Sequence, residues 1–192
     1  MSTPTVLVTV GTDHHRFDRL IGWVDRWAAA HPDVHVTVQH GTADPPANGE
    51  AMVMLGYDDL VGRMRDADVV VAQGGPATIM DARSVGHRPV VVPRLAALDE
   101  VVDDHQVAFC DWMASKELVW VAADEDGLHD LLDRALADPT LVRIPPERGA
   151  SAATIEAFRA VVDPLAERRS GRLPWRRRRS AAPIRDEGPN TR

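Results

Sequence analysis

The chain alternates short apolar runs with longer stretches in which apolar residues recur every three or four positions. The short runs are rich in valine and most do not alternate with polar residues, which is typical of strands buried on both faces. The longer stretches have the period of amphipathic helices. The predicted strands are Thr5–Val10, Val34–His40, Ala51–Leu55, Asp68–Ala72, Pro89–Pro93 and Leu118–Ala122.

Each predicted strand except the second is followed by a predicted helix. The repeated order of strand and helix indicates a parallel sheet covered by helices on both faces, that is, a Rossmann-like doubly wound α/β domain. Such folds bind ligands at the carboxyl ends of their strands. The predicted helices are Phe17–Ala30, Tyr57–Ala67, Thr78–Val85, Asp104–Ser115, Glu125–Ala137 and Ala150–Val162.

Length and composition describe one domain with a tail. The 192 residues are 44% hydrophobic, yet no apolar run approaches the ~20 residues of a membrane helix. Nothing at the N-terminus resembles a signal peptide, and the single cysteine, Cys110, fits a reducing compartment. We therefore expect a cytoplasmic protein in which Cys110 fills the core.

Charge divides the chain into two parts. Residues 1–167 carry 13 basic and 27 acidic side chains, whereas residues 168–192 carry 9 arginines and 2 acids. The acidic body argues against nucleic-acid binding, because phosphate is attracted to basic surfaces. We predict a folded domain over residues 1–165 and a disordered tail over 166–192. Either Trp175 and Arg176–Arg179 anchor the tail to anionic lipid, or the tail is simply solvated.

The sequence "QGGPAT" follows the fourth strand and opens a helix. Two glycines allow a ligand to approach the backbone, and the free N–H groups of a helix N-terminus attract phosphate. Thr78 and Asp81 lie three residues apart, so they share a helix face. Asp81 could accept hydrogen bonds from a ribose diol. It could instead compensate the helix dipole beside a purely structural turn.

Two more loops are predicted at the same sheet edge. Gly11 and Thr12 end the first strand, and Asp104, His105 and Gln106 begin a helix after the fifth. Asp104 could also be only an N-cap, with the next two residues solvated. Three polar loops at one edge favour a phosphorylated, hydroxyl-rich ligand. The first strand is not followed by the G-x-G-x-x-G pattern of dinucleotide sites.

The first loop also holds adjacent histidines, His14 and His15. They could reach the reacting centre as catalytic groups, but solvated loop residues are the simpler interpretation. A metal site made with Asp13 is not expected, because adjacent residues rarely converge on one ion and no fourth ligand is evident.

Three motifs carry a resemblance to a known family. "VTVGT" followed by "FD" and "LI", then "ADVVVAQGGPATIMDARSVGHRPVVVP", then "DDHQ", appear in this order between about Thr5 and Ala123. The chain thus resembles the C-terminal, donor-binding half of family-28 glycosyltransferases. It is especially similar to the stand-alone small subunits of two-part transferases that make chitobiose or exopolysaccharide.

The resemblance implies half of a GT-B fold and an inverting transfer of a sugar, such as N-acetylglucosamine or another hexose, from a UDP-sugar to a lipid-linked acceptor. It implies no cofactor and no metal, and a membrane-anchored partner subunit that binds the acceptor, so the chain would lie at the inner face of the membrane. The implied contacts are Gly11, Thr12, Gly74, Gly75, Ala77 and Thr78 with diphosphate, Asp81 with ribose, Gly56 and Tyr57 with the base, and Asp104, His105 and Gln106 with the sugar.

The chain departs from the family pattern at three of these positions or their neighbours. Asp81 stands where the family usually has Glu and reaches ~1.5 Å less, by one C–C bond. Gln73 stands where His is frequent, and Phe109 where a polar residue is common. These departures keep open an alternative function, a nucleotide-sugar-binding regulatory module without transfer of its own.

Overall fold

The computed structural model describes residues 3–147 of the chain. Within them, six strands form one sheet in the order β3-β2-β1-β4-β5-β6, and every neighbouring pair is parallel. The predicted helix at Ala150–Val162, the end of the predicted domain at residue 165 and the predicted tail lie outside the described residues. The strands are β1 (Thr5–Thr9), β2 (His35–Gln39), β3 (Glu50–Met52), β4 (Val69–Gln73), β5 (Val90–Val92) and β6 (Trp120–Val121).

Helices cover both faces of the sheet. Val6 and Val8 of β1 belong to a core that contains side chains of the first and last described helices, whereas Leu7 packs on the opposite face with Met64 and Ala82. Both faces of the strands are therefore buried, which is why their sequences are continuously apolar. The predicted doubly wound α/β fold is confirmed. The helices are α1 (Asp18–Ala30), α2 (Tyr57–Asp66), α3 (Pro76–Ser84), α4 (His105–Ser115) and α5 (Glu125–Ala137), with short 3₁₀ turns at Ala96–Leu98 and Pro139–Leu141.

The two edge strands are shorter than the sequence pattern predicts. β3 ends at Met52, and Val53 and Met54, which the apolar run placed in the strand, are exposed. β3 pairs with β2 over three residues only. An edge strand is paired on one side, so it ends where its pairing with that single neighbour ends. Conversely, α3 begins two residues before the predicted start, at Pro76, since proline is favoured in the first helical turn.

The helices of the described part are short. The longest, α1 and α5, have 13 residues each, which corresponds to about 20 Å at 1.5 Å per residue. Between residues 3 and 147, no helix combines the length and the apolar character needed to cross a membrane.

Candidate functional site

The carboxyl ends of β1, β4 and β5 meet at one edge of the sheet, as the sequence predicted. β1 and β4 are adjacent and in register, with Thr9 beside Ala72, and β5 lies next to β4, with Val92 beside Gln73. The loops that follow these strands contain all three predicted polar motifs. The sheet order therefore brings together segments that are about 30 to 90 positions apart in the sequence.

The second glycine loop leads directly into α3. Gly75 is the N-cap of this helix and has no side chain that could accept from the first N–H groups. Pro76 occupies the first turn. The backbone N–H groups of Ala77 and Thr78 lie in the first turn of the helix, where no intrahelical acceptor exists. This end of α3 thus offers hydrogen-bond donors and the positive end of the helix dipole to an anion.

The two positions of this loop are glycine for different structural reasons. A Cβ at Gly74 would lie 2.5 Å from the sulfur of Cys110, so Gly74 is required for packing of the loop against α4. Cys110 itself is fully buried, and burial raises the pKa of its thiol to about 12. Cys110 thus fills the core, as predicted. Gly75 is partly exposed, and its position allows a ligand to approach the backbone.

Gln73 fills the space between the two glycine loops. Its Nε2 would lie 2.1 Å from a Cβ at Gly11 and 2.9 Å from one at Gly75. The same nitrogen donates a hydrogen bond to the Thr78 hydroxyl (3.1 Å). The Gln73 Oε1 is buried and has no hydrogen-bond partner within residues 3–147. The Thr78 hydroxyl accepts this hydrogen bond, so its O–H and the backbone N–H of Thr78 remain as donors.

The structure brings together the residues implied to contact the nucleoside. The Tyr57 hydroxyl donates a hydrogen bond to Asp81 Oδ1 (3.1 Å), although the two residues belong to different helices. Tyr57 is 65% exposed and begins α2, directly after the exposed Gly56. The hydrogen bond to the Asp81 carboxylate raises the pKa of Tyr57. A carboxylate and an aromatic ring thus lie side by side on the surface near the first turns of α2 and α3.

The third loop is built by hydrogen bonds among its own residues. Asp104 Oδ1 accepts from the Ala96 N–H (2.9 Å), so its side chain ties the loop together and makes no cap on α4. The His105 ring contacts the Asp103 carboxylate and is half exposed. Of the three implied sugar contacts, Asp104 and His105 are exposed, whereas Gln106 is buried.

Gln106 is buried against the second loop. Its Cβ lies 3.4 Å from the position of a Cβ at Gly74, and its Oε1 accepts from the Arg94 N–H (3.4 Å). These contacts place the start of α4 beside the second glycine loop. Gln106 therefore has a structural role, besides any contact with a ligand.

Arg94, which the sequence analysis missed, connects the first and third loops. Its side chain is fully buried, and its guanidinium donates to the carbonyl oxygens of Val10 (3.0 Å), His15 (2.9 Å) and Glu100 (3.0 Å). It also lies over the Phe17 ring. An arginine directly after an apolar strand that ends in proline was the available signal, because a charge at the end of a buried strand must find partners.

Glu100 and Arg19 reinforce this connection. Both side chains are largely buried, and the Arg19 guanidinium makes two hydrogen bonds to the Glu100 carboxylate (2.8 and 2.9 Å). Glu100 also accepts from the Leu95 N–H (3.0 Å), while Arg19 donates to the Pro93 carbonyl (2.8 Å). The loop after β1 and the loop after β5 are thus held in one arrangement.

The side chains of Asp13, His14 and His15, from which no metal site was expected, lie close together in the structure. One atom from each of these side chains lies within 4.8 Å of the others, and both imidazoles turn Nδ1 toward Asp13 Oδ1. Three adjacent residues converge because the Asp13 carboxylate also accepts from the His15 N–H, which folds the chain back on itself. His14 and His15 line a cleft of about 520 Å³ between the first and third loops.

Comparison with known proteins identifies the family. A profile described as "Glycosyltransferase family 28 C-terminal domain" matches residues 5–161, most of the chain. The chain belongs to this family. The resemblance inferred from the three motifs is thereby confirmed.

Curated relatives of this family-28 domain are longer than the chain. A UDP-N-acetylglucosamine–N-acetylmuramyl-(pentapeptide) pyrophosphoryl-undecaprenol N-acetylglucosamine transferase of Trichlorobacter lovleyi is 25% identical over 71% of this chain and 36% of its own length. The UDP-N-acetylglucosamine transferase subunit ALG13 of Yarrowia lipolytica is 31% identical over 37% of this chain and 34% of its own length. The matched segments therefore cover about a third of the length of these relatives.

Solved structures confirm the fold of the family-28 domain. The glycotransferase of kitacinnamycin superimposes with a TM-score of 0.57 at 19% identity, over 89% of this chain and 43% of that one. MurG of Acinetobacter baumannii gives a TM-score of 0.51 at 21% identity, over 74% of this chain and 44% of that one. The chain thus corresponds to one half of such GT-B glycosyltransferases.

Proposed function

We propose that this family-28 domain is the donor-binding catalytic subunit of a two-part glycosyltransferase. It binds a UDP-sugar and takes part in transferring the sugar to a lipid-linked acceptor during cell-surface polysaccharide or glycolipid synthesis. The observation that carries this proposal is the arrangement around α3. An exposed N-terminus with free N–H groups follows a glycine loop, and the Tyr57–Asp81 pair lies one turn further on.

This arrangement suits a nucleoside diphosphate. The diphosphate would lie at the N–H groups of Ala77 and Thr78 and at the backbone of Gly75. The ribose hydroxyls would donate to the Asp81 carboxylate, and the Tyr57 ring would pack near the base. Two relatives are named as transferases of UDP-N-acetylglucosamine, which supports UDP as the nucleotide and N-acetylglucosamine or another hexose as the sugar.

The chemistry proposed for this half is electrostatic. When the sugar leaves, the UDP diphosphate gains negative charge, and fixed N–H groups at a helix N-terminus stabilise that charge without reorganisation. No cofactor enters the proposed transfer, in which the UDP-sugar is the substrate. The acceptor and the main proton-accepting group would be supplied by the other half of the GT-B fold.

A partner subunit supplies that other half in this proposal. One relative is named as a transferase subunit, which supports a two-part enzyme. A lipid-linked acceptor places the partner in the membrane, so the chain would be cytoplasmic and peripheral at its inner face. The arginine-rich segment after residue 167 would add attraction to anionic lipid.

One observation favours a second candidate function. Gln73 occupies the gap between the glycine loops, where an incoming diphosphate would approach Gly11. A chain in which this gap stays filled could bind the nucleotide without transferring the sugar, and would then act as a nucleotide-sugar-binding regulatory module.

Calorimetry with the purified full chain tests the donor site. UDP and UDP-N-acetylglucosamine should bind one to one, and Gly75→Val should abolish binding because a branched side chain would cover the approach to the phosphates. Gly62→Val is the matched control, since Gly62 lies in α2 with no atom within 4 Å of its Cβ position. Unchanged affinity in Gly75→Val would contradict the site.

Membranes from a strain of the source organism that lacks this chain test the two-part enzyme. Adding the purified chain and labelled UDP-N-acetylglucosamine or UDP-glucose should restore incorporation of label into extractable lipid. The chain alone should incorporate none. Donor binding without restored incorporation would favour the regulatory module, and robust transfer to a lipid acceptor by the chain alone would contradict the need for a partner.

A further inference from the structure

The cluster of Asp13, His14 and His15 has the donor set of a transition-metal site. His15 Nδ1 lies 2.7 Å from Asp13 Oδ1, and His14 Nδ1 lies 3.5 Å from the same oxygen. The three donor atoms are all within 4.8 Å of one another. Ligands at about 2.0–2.2 Å from a tetrahedral Zn²⁺ are separated by roughly 3.3–3.5 Å. Shifts of about 1 Å or less along the side chains would therefore bring the three atoms to the separations of a zinc site.

The backbone fixes this loop before any ion arrives. The His15 N–H donates to the Asp13 carboxylate (2.9 Å), and the His15 carbonyl accepts from the buried Arg94 guanidinium (2.9 Å). Arg94 is itself held by the Val10 and Glu100 carbonyls. A preorganised loop lowers the cost of ordering ligands around an ion.

We propose that Asp13, His14 and His15 together bind one divalent transition-metal ion, of the class represented by Zn²⁺. The ion would take the place of the close contact between the Asp13 carboxylate and the Nδ1 of His15 (2.7 Å). One carboxylate and two imidazoles suit zinc and its neighbours in the first transition row, whereas Mg²⁺ prefers oxygen ligands alone. The inference does not depend on the donor-binding function proposed above.

Three protein ligands leave at least one coordination position open, and in zinc sites this is the pattern of positions that take water or substrate. Both histidines line the 520 Å³ cleft between the first and third loops. The ligands also directly follow Gly11 and Thr12, the first loop of the candidate diphosphate site. An anionic ligand in the cleft could therefore reach the open position.

The charges around the cleft are balanced enough to accept a cation. The Arg16 and Arg19 guanidinium groups at its lining are paired with Asp18 and Glu100 respectively. Asp99 contributes a further carboxylate to the lining. The buried Arg94 guanidinium would repel a cation, but its N–H groups donate hydrogen bonds to backbone carbonyl oxygens, which partly offset its charge.

Calorimetry of the tag-free full chain with ZnCl₂ tests the proposal. We expect one ion per chain, with affinity lowered tenfold or more by His14→Ala, by His15→Ala and by Asp13→Asn, since even outer partners of metal ligands affect affinity by roughly 10–100-fold. His35→Ala is the matched control, because His35 lies 3.6 Å from a Glu50 carboxylate oxygen but outside the cluster. MgCl₂ should give no saturable heat.

Cobalt spectroscopy provides an independent measurement. Co²⁺ added to the wild-type chain should give the visible absorption of a low-coordinate site, and His14→Ala/His15→Ala should lose it while retaining the far-ultraviolet circular dichroism of the wild type. Zinc binding that is equally strong in the double variant, or the absence of saturable one-to-one binding in the wild type, would overturn the proposal.

Discussion

The side-chain amide of Gln73 lies in the space that a side chain at Gly11 would occupy. A Cβ at Gly11 would be 2.1 Å from Gln73 Nε2, and Gly11 also has a left-handed backbone with φ +74°. The backbone conformation therefore favours glycine at the end of β1, and any Cβ there would also force the Gln73 amide to move. The first glycine of the site is needed for the fold as well as for any ligand.

Gly11→Ala should lower the free energy of unfolding by about 2 kcal/mol or more, because left-handed backbone costs a non-glycine residue about 1–2 kcal/mol and the clash with Gln73 adds to this. Urea denaturation measures the loss. Gly62→Ala, in the interior of α2, is the control and should be neutral or stabilising by up to about 1 kcal/mol. A Gly11→Ala chain as stable as the wild type would contradict the tight contact.

Gly74 and Cys110 should be energetically coupled. Gly74→Ala would place its Cβ 2.5 Å from the buried sulfur, so overpacking of about 1–3 kcal/mol is expected. In the Cys110→Ala background the sulfur is gone, and the cost of Gly74→Ala should be much smaller. A double-mutant cycle by urea denaturation measures the coupling, and additive losses would show that the loop adjusts without contacting the sulfur.

Asp81→Asn should separate the nucleoside from the diphosphate. The variant should weaken UDP binding by about 1.5–3 kcal/mol, because hydrogen bonds from the ribose hydroxyls to a charged carboxylate are lost, while pyrophosphate binding should change little. Asp58→Asn, in the first turn of α2, is the control for the loss of one surface charge. Equal losses for UDP and pyrophosphate in calorimetry would exclude a ribose contact.

Gln106→Ala tests whether the third loop recognises the sugar. With a direct contact, affinity for UDP alone should survive and affinity for the matching UDP-sugar should fall by about 1–3 kcal/mol. The structure provides a competing explanation, because Gln106 accepts from the Arg94 N–H and packs beside Gly74. If affinities for UDP and the UDP-sugar fall together, Gln106 only positions α4 beside the second loop. His105→Ala, on the exposed side of the same turn, provides the comparison.

His87 should make the fold less stable in mild acid. Its ring is fully buried, and burial together with the nearby Arg143 charge lowers its pKa to about 4. The unfolded chain therefore binds a proton more readily than the folded chain, so stability falls as the pH decreases from about 7 towards 4. His87 should account for about 2 kcal/mol of the loss between pH 7 and pH 5.

The comparison of His87→Leu with the wild type isolates this contribution. The variant should lose about 2 kcal/mol less stability between pH 7 and pH 5 in urea titrations. His35→Leu, at an exposed position, should follow the wild-type pH dependence. Identical pH dependences for His87→Leu and the wild type would show that the pKa of His87 is the same in the folded and unfolded chains, which would contradict the prediction.

Much of the fold could be predicted because its signals are local. Continuous valine runs indicate strands buried on both faces, and the helical period between them indicates crossover helices, so the parallel sheet follows from the pattern. The ends of the edge strands could not be predicted. The length of β3 depends on how far β2 pairs with it, and the apolar residues Val53 and Met54 remain outside the ladder.

The candidate site was predicted as a set of loops but not as a set of contacts. Turn chemistry, helix starts and the family motifs are local in the sequence, and they were sufficient to predict Gly11, Gly75, Asp81 and His105. The Tyr57–Asp81 hydrogen bond joins residues 24 positions apart, and the burial of Gln106 depends on a glycine in another loop. No local pattern encodes such relationships.

The sequence by itself determined the α/β class, the edge of the sheet at which the polar loops meet and the family, because hydrophobic period and motif order are properties of neighbouring positions. Only the tertiary structure decided how the loops fit together. It placed Arg94 at the carbonyl oxygens of two loops, filled the gap between Gly11 and Gly75 with Gln73, and turned both histidines toward Asp13. These arrangements depend on distances across the sheet, and such distances exist only once β1, β4 and β5 lie side by side.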